Sequence, residues 1–492
     1  MKTKTQITIL FLAVTLLCVV GKTSEGKDFG RRDAKPNVLF IAIDDLNDWT
    51  NMLNGNPQAR TPNLEKLASQ GMVFTNAQCA APACGPSRAA IMSGIRPSTS
   101  GNYINRASII HNPILNNSVL LPEFFQQNGY YVCGAGKLFH GAHFNGELKG
   151  RGFDEYYPSK NQDLPRPDVK FSSPLPLSGI KGLPKYTDWG PFHPDVTTEN
   201  TPDGKTAKWA ADKLVGGELK EPFFLGAGIY LPHLPNYAPQ KYFDMFPLED
   251  IKLPEGYKED DLDDISGVAL TMGHPGWFKK IVDAGQWKPA IRAYLACTAM
   301  VDDQIGRILG ALEKSKYADN TIIVLWSDHG WQLGEKERWT KFALWERATR
   351  VNFVWVVPDV TKSGSVCDKP VNLLDIYPTL ASLTGSKPPE KQLEGNDLSV
   401  LMRNPVASWD KTSLTAYEYK NYSIRSERYR YITYSDGTEE LYDHEKDKWE
   451  WDNLAGNPEY AHIIKEMRKG IPDHQEPPGA GYKPSPKELD EY

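Results

Sequence analysis

The chain has 492 residues, 40% of them hydrophobic, and a formal net charge of −6. That apolar content is ample for one large core plus a smaller one. With no long basic tract, a nucleic-acid partner is disfavoured, and affinity for a small anion has to come from positive charge gathered locally in a pocket.

Lys2 and Lys4 precede an apolar run from Ile7 to Val20. The run is too short for a comfortable membrane span, so residues 1–22 are predicted to be a secretory signal peptide. The mature protein is then expected to be soluble and exported, periplasmic or secreted, with no stable membrane span. Asn37 to Ile43 is a continuous apolar run of strand length, as expected for a strand buried on both faces, and it stops at Asp44-Asp45. Thr61-Pro62 followed by Leu64, Leu67 and Ala68 reads as an N-cap and a helix closed by Gly71. Next comes Cys84-Gly85-Pro86-Ser87-Arg88, in which Pro86 suits a first helical position and Gly94 an end. A cysteine there sits in the positive field of a helix N-terminus beside a fixed cation, which lowers a thiol pKa.

Leu120 to Gln127 is predicted helical and Tyr130 to Cys133 a strand running into Lys137 and His140. Residues 144–220 and 236–286 offer little regular pattern, as in lids and binding walls. Between them, Phe223 to Gly228 is a strand leading to His233. Ala290 to Lys314 carries the strongest helical periodicity and feeds a strand, Thr321 to Trp326, that ends at Asp328-His329. Val351 to Val357 is a further strand and Leu373 to Leu383 a helix. Strands alternating with helices predict an α/β layered domain. After about residue 400 the texture changes: Tyr429 to Tyr434, Asp436-Gly437 and Glu440 to Tyr442 read as a hairpin, followed by a helix near Tyr460 to Lys469 and a loose tail. The expected organisation is a signal peptide (1–22), a catalytic domain (23–400) and a C-terminal antiparallel subdomain with its tail (401–492).

Six cysteines, five without Cys18, are too few and too scattered for a disulfide scaffold, and none has zinc-finger spacing. The chemistry gathers instead at strand ends, where open α/β sheets bind ligands. Asp44 and Asp45 lie at one such end, Asp328 and His329 at another. Carboxylates brought together repel unless a cation neutralises them, and oxygen ligands favour calcium or magnesium. Lys137 with His140, then His233, then Lys341 follow in further segments. Among them Lys341 stands out least, because Glu335, Lys336, Glu337 and Arg338 look like an ordinary charged surface. A metal, two ammonium groups and two imidazoles facing a reactive cysteine suit transfer of a multiply charged oxyanion.

Cys84-Gly-Pro-Ser-Arg88 with Ser93-Gly-Ile-Arg-Pro97 resembles the signature of the type I, formylglycine-dependent sulfatases of the alkaline-phosphatase-like superfamily. The resemblance runs from about Lys35 to Gly456. Gly136-Lys-Leu-Phe-His140, Pro232-His233-Leu-Pro235, Asp328-His-Gly-Trp-Gln-Leu-Gly334 and Trp339-Thr-Lys341 are most similar to the branch of iduronate-2-sulfatase and its bacterial relatives. It implies an α/β/α sandwich with a large mixed sheet and a smaller C-terminal subdomain with an antiparallel sheet. It further implies that a sulfatase-maturing enzyme oxidises Cys84 to formylglycine, whose hydrate attacks the sulfur of a sulfate ester. By the same resemblance His233 protonates the departing sugar oxygen and His140 takes the proton that expels sulfate. One Ca2+ is held by Asp44, Asp45, Asp328, His329 and residue 84, while Lys137 and Lys341 neutralise sulfate oxygens and Arg88 holds the residue-84 hydrate. The implied substrate is a sulfated oligosaccharide. One departure is that Tyr230 or Leu231 stands where the iduronate branch has a second histidine, and 144–220 and 236–286 match less well. The competing expectations are a phosphoryl or phosphonate hydrolase of the same superfamily and an inactive sugar-binding relative.

Overall fold

Each face of one central strand carries its own apolar layer. In β1 (Asn37–Asp44), Leu39, Ile41 and Ile43 belong to one buried cluster and Val38, Phe40 and Ala42 to another. This two-sided burial is what a continuous apolar run produces when the alternating side chains of a strand both find cover. The structure, a computed structural model, describes residues 35–105, 109–140, 151–157, 170–171 and 173–479. The expected signal peptide and the end of the expected tail therefore lie outside the described residues.

After β1 come α1 (Pro62–Gln70), β2 (Met72–Phe74), α2 (Cys84–Ser93), α3 (Leu121–Gln127) and β3 (Tyr131–Gly136). They are followed by β4 (Glu155–Tyr157), α4 (Pro202–Gly216), β5 (Phe223–Pro232), α5 (Trp287–Glu313) and β6 (Thr321–Ser327). β7 (Phe353–Val356), β8 (Ser365–Cys367) and α6 (Ile376–Leu383) complete this part. The eight strands form one sheet in the order β8-β2-β7-β6-β1-β5-β3-β4. β7 runs antiparallel to both its neighbours and the other pairings are parallel, so the sheet is mixed. Leu64 and Leu67 of α1, Ala207 and Leu214 of α4, and Ile291 and Ile305 of α5 cover one face. Ile91 of α2, Phe124 and Phe125 of α3, and Leu380 of α6 cover the other. The result is the α/β/α sandwich.

A four-stranded antiparallel sheet follows, built from β9 (Ser413–Ala416), β10 (Tyr422–Arg425), β11 (Tyr429–Thr433) and β12 (Glu439–Asp443). Asp436 and Gly437 form the turn between the last two strands, where Tyr434 N–H donates to the Thr438 carbonyl at 3.0 Å. A short helix, α7 (Ala461–Met467), packs Ile464 and Met467 beside this sheet.

Three sequence expectations change. The helix after the cysteine motif begins at Cys84 itself, with Ala83 as its N-cap residue, so Pro86 is its third residue and not its first. Thr61 does not cap α1 with its side chain; its hydroxyl bonds Asn51 Oδ1 at 2.8 Å instead. The stretch 144–220 is not devoid of regular structure, because it contains the fifteen residues of α4. Of the seven residues that helix buries, Gly204, Ala207, Ala210 and Ala211 are small and Asp203 and Thr206 polar, which leaves a faint periodic signal. The five cysteines from Cys79 to Cys367 are free and buried.

Candidate active site

Parallel pairing fixes which residues meet. β1 runs beside β6 in register from Asn37 opposite Thr321 to Ile43 opposite Ser327, so Asp44-Asp45 and Asp328-His329 leave the sheet together. On the other side, Gly136 of β3 lies opposite Gly228 of β5. Neither position has room for a side chain. A Cβ at Gly136, where φ is +73°, would stand 1.9 Å from the Gly228 carbonyl oxygen, and one at Gly228 would stand 2.2 Å from the Lys137 backbone. The two glycines let the Lys137 turn lie directly against β5.

The carboxylates and cations interlock around Cys84. Asp44 pairs with Lys137 Nζ through one oxygen and accepts from Arg88 Nη2 at 3.1 Å through the other. Asp45 Oδ1 accepts from Lys341 Nζ at 2.6 Å and from Cys84 Sγ at 3.7 Å. Lys341 Nζ also lies 3.0 Å from Cys84 Sγ. His329 Nε2 is 3.3 Å from Cys84 Sγ and 3.3 Å from Asp45 Oδ1, because its Nδ1 donates to the Gly330 carbonyl at 2.9 Å. Asp44, Asp45, Cys84 and His329 each offer a ligand atom within 4.8 Å of the others.

Asp328 stands at the edge of this group. Its Oδ1 accepts the N–H groups of Asp45 and His329, both at 3.1 Å, and Oδ2 accepts from Arg88 Nε at 2.8 Å. Arg88 is fully buried, with its guanidinium 5.4 Å from the Trp326 ring centroid. Its hydrogen bonds go to Asp44, Asp328 and the carbonyls of Lys137 and Leu138, and none reaches residue 84.

Two histidines complete the site. His233 Nδ1 donates to the Leu234 carbonyl at 2.6 Å, which turns Nε2 toward Asp45 Oδ2 at 3.9 Å. Burial, then the Lys341 and Lys137 cations, hold its pKa well below the usual histidine value. His140, three residues beyond Lys137, is likewise held well below by burial and by the same two lysines, with Arg88 adding to them. Both imidazoles are thus held neutral by burial and by the lysines beside them.

Calcium fits the residues present. Burial, Cys84 and Asp44 push the Asp45 carboxyl up to about 8 despite the Lys341 cation, and its buried Oδ2 has no hydrogen-bond partner. Burial alone would lower His329, but Asp328, Cys84 and Asp45 push it up to about 9. An orphaned buried carboxylate oxygen beside a histidine that retains its proton marks a cluster short of positive charge. The donors are mainly oxygens, which suits a hard divalent cation.

Lys341 corrects the expectation that its neighbours form an ordinary charged surface. Glu335, Lys336 and Arg338 are at most 3% exposed. Lys336 pairs with Asp261 at 3.0 Å, and Glu335 lies 3.3 Å from Arg347. Other site residues escape sequence reasoning. The Ser87 hydroxyl donates to the Asp328 carbonyl at 2.6 Å, and Tyr294 OH donates to the Asp45 carbonyl at 2.8 Å. The Gly85 N–H donates to Asn105 Oδ1 at 2.8 Å. Tyr230 places its ring 4.9 Å from Lys137 Nζ. Gly85 and Ser87 lie inside the cysteine motif and Tyr230 lies three residues before His233, whereas nothing in the sequence points to Tyr294 or Asn105.

The sulfatase family model matches residues 36–386 of this chain. A second model, described as N-sulphoglucosamine sulphohydrolase, C-terminal, matches residues 334–477. A sulfatase of Formosa agariphila is 40% identical over 474 residues, covering 94% of this chain and 91% of that protein. Iduronate 2-sulfatase of Mus musculus is 28% identical, covering 81% of this chain and 84% of its own. Among solved structures, a 2-O GAG sulfatase superposes with a TM-score of 0.68 at 25% identity, over 88% of this chain and 90% of that one.

Proposed function

The chain belongs to the sulfatase family and is a sulfuric ester hydrolase, and on that premise we propose that it removes sulfate from sulfated sugars, with a 2-O-sulfated uronic acid in an oligosaccharide as the favoured substrate. The sugar class is supported by the names of similar proteins, an iduronate 2-sulfatase and a 2-O GAG sulfatase. The observation that carries the reading is the surround of residue 84. Lys341, Asp45 and His329 contact one buried side chain at the start of a helix, and Lys137 and two neutral imidazoles stand beside that cluster through Asp44, Asp45 and the lysines.

In this reading Cys84 is oxidised by a maturing enzyme to formylglycine, and Asp44, Asp45, Asp328, His329 and residue 84 hold one Ca2+. When present, the aldehyde hydrate supplies the nucleophile and the ion supplies Lewis acidity. The chain's own residues do the rest. Lys137 and Lys341 face the charged oxygens of the sulfate group and stabilise charge that builds in the transition state. His233 gives a proton to the leaving sugar oxygen, because its Nδ1 is committed to Leu234 and only Nε2 faces the reacting group. The negative charge of the incoming ester offsets the two lysines and favours the protonated imidazole there. His140 serves as the base that takes a proton during release of sulfate. Arg88 keeps Asp44 and Asp328 in place and acts through them. The protein is exported in this account, and among the described residues no helix is long and apolar enough to cross a membrane.

Sulfate released from defined 2-O-, 4-O- and 6-O-sulfated saccharides, measured by ion chromatography with the matured enzyme, tests the proposal. Faster release from 2-O-sulfated uronates supports it. Equal or faster hydrolysis of a matched phosphate monoester would favour a phosphoryl hydrolase instead.

A further inference from the structure

The strand that delivers His233 departs from its ladder immediately before that residue. β5 pairs with β1 in step up to Ile229 opposite Ile43, and the next pair is Pro232 opposite Asp44. Tyr230 and Leu231 therefore have no partner on β1. A bulge of this kind re-aims the residues after it, and it leaves backbone N–H groups that must be satisfied if buried. Tyr230 and Leu231 are 7% and 8% exposed.

One carboxylate takes both. Asp203 Oδ1 accepts the Tyr230 N–H and Oδ2 the Leu231 N–H, each at 2.9 Å. Asp203 is itself 4% exposed and sits in the first turn of α4, whose N-cap Thr201 accepts from Gly204 N–H at 3.1 Å. The turn it fixes has three further ties. His233 N–H donates to the Tyr230 carbonyl at 3.1 Å, Tyr230 OH donates to the Leu234 carbonyl at 3.0 Å, and His233 Nδ1 donates to the same carbonyl at 2.6 Å. The Tyr230 and His233 rings lie 4.8 Å apart. Asp203 thus accepts both amides of the bulge, which ties the aim of Nε2 to its carboxylate.

We propose that Asp203 is the positioning residue for the acid histidine: it clamps the bulge opposite Asp44 and thereby sets where His233 Nε2 can deliver a proton. The inference rests on the reading of His233 as the acid. In that step the nucleophile oxygen at residue 84 bonds to sulfur as the S–O bond to the sugar breaks, the electron pair of the broken bond stays on the sugar oxygen, and the proton on Nε2 moves to that oxygen. A misplaced acid matters when the leaving group is a poor one and matters little when it departs readily as an anion.

The test compares wild type, Asp203→Ala, Asp203→Asn and His233→Ala on a sugar sulfate and on an aryl sulfate with a strongly acidic phenol. Both substrates are assayed on one preparation, so the ratio of kcat/KM values is independent of the fraction folded or matured. Both Asp203 variants are expected to lose about 10- to 100-fold on the sugar sulfate and several-fold at most on the aryl sulfate, a selective loss that follows His233→Ala. Hydrogen exchange supplies a readout independent of turnover: the amides of Tyr230 and Leu231 are expected to be protected in wild type and to exchange faster in Asp203→Ala. Equal losses on both substrates by the Asp203 variants, or unchanged protection, would overturn the positioning role. If His233→Ala itself shows equal losses, the acid assignment fails, and the exchange result still decides whether Asp203 clamps the turn.

Discussion

Lys341 Nζ lies 3.0 Å from Cys84 Sγ and is buried with it. A lysine from a segment dense in charge thus ends in contact with a helix-start cysteine 257 positions away. The contact ties residue 84 to a buried ammonium group. Burial opposes the ammonium charge, but Asp45 and Cys84 hold the Lys341 pKa well above its usual value. The cation is therefore fixed and present at any working pH.

Replacing that lysine tests the cage. Lys341→Met keeps the stem and removes the charge, and it is expected to lower kcat/KM by about 100-fold or more, the scale of a lost transition-state stabiliser. Inhibition by the product sulfate should weaken in the same variant, as read from its inhibition constant. Unchanged affinity for sulfate would place Lys341 outside the oxyanion site.

Calcium should stabilise the fold as well as the reaction. With free calcium at about 100 times its dissociation constant, the gain is about 2.7 kcal/mol. Thermal unfolding with and without EGTA, then with calcium restored, measures it. Asp45→Ala removes the oxygen that lacks a hydrogen-bond partner, and its melting temperature should no longer respond to calcium.

A second buried ion network supports the junction between the two sheets and makes a stability prediction. Arg430 is fully buried, pairs with Glu346, and lies 2.6 Å from Glu450. Arg430→Ala leaves the buried Glu450 and the largely buried Glu346 short of a partner and is expected to cost about 3–5 kcal/mol in denaturant unfolding. Burial alone would raise the Glu346 pKa, but Arg425 and Arg430 hold it well below the usual carboxylate range. A depressed carboxyl contributes stability above its unfolded pKa of about 4.3 and loses it as the pH falls through the folded value. The gap between wild type and Arg430→Ala should therefore be widest near neutral pH and narrow below about pH 4.

Much of this was legible in the sequence where neighbours in the chain are also neighbours in space. The apolar run of β1 ends at Asp44-Asp45, and that of β6 ends shortly before Asp328-His329, so strand ends marked the carboxylate and histidine cluster in advance. Lys341 was harder to see because the partners that bury its segment are remote: Lys336 pairs with Asp261, and Arg347 with Asp48. α4 was hidden because it buries alanines and carries Pro202, Gly204 and Gly216. The clamp by Asp203 was out of reach for a further reason. It answers a bulge between Ile43 and Asp44, and register is set by strand pairing, not by composition.

The fate of Cys84 decides whether residue 84 supplies a formylglycine hydrate as nucleophile. Peptide mass spectrometry of the active enzyme reads it directly, with occupancy compared across preparations of different specific activity. Formylglycine at position 84, in proportion to activity, is the predicted result. An unmodified thiol at that position in fully active protein would contradict it.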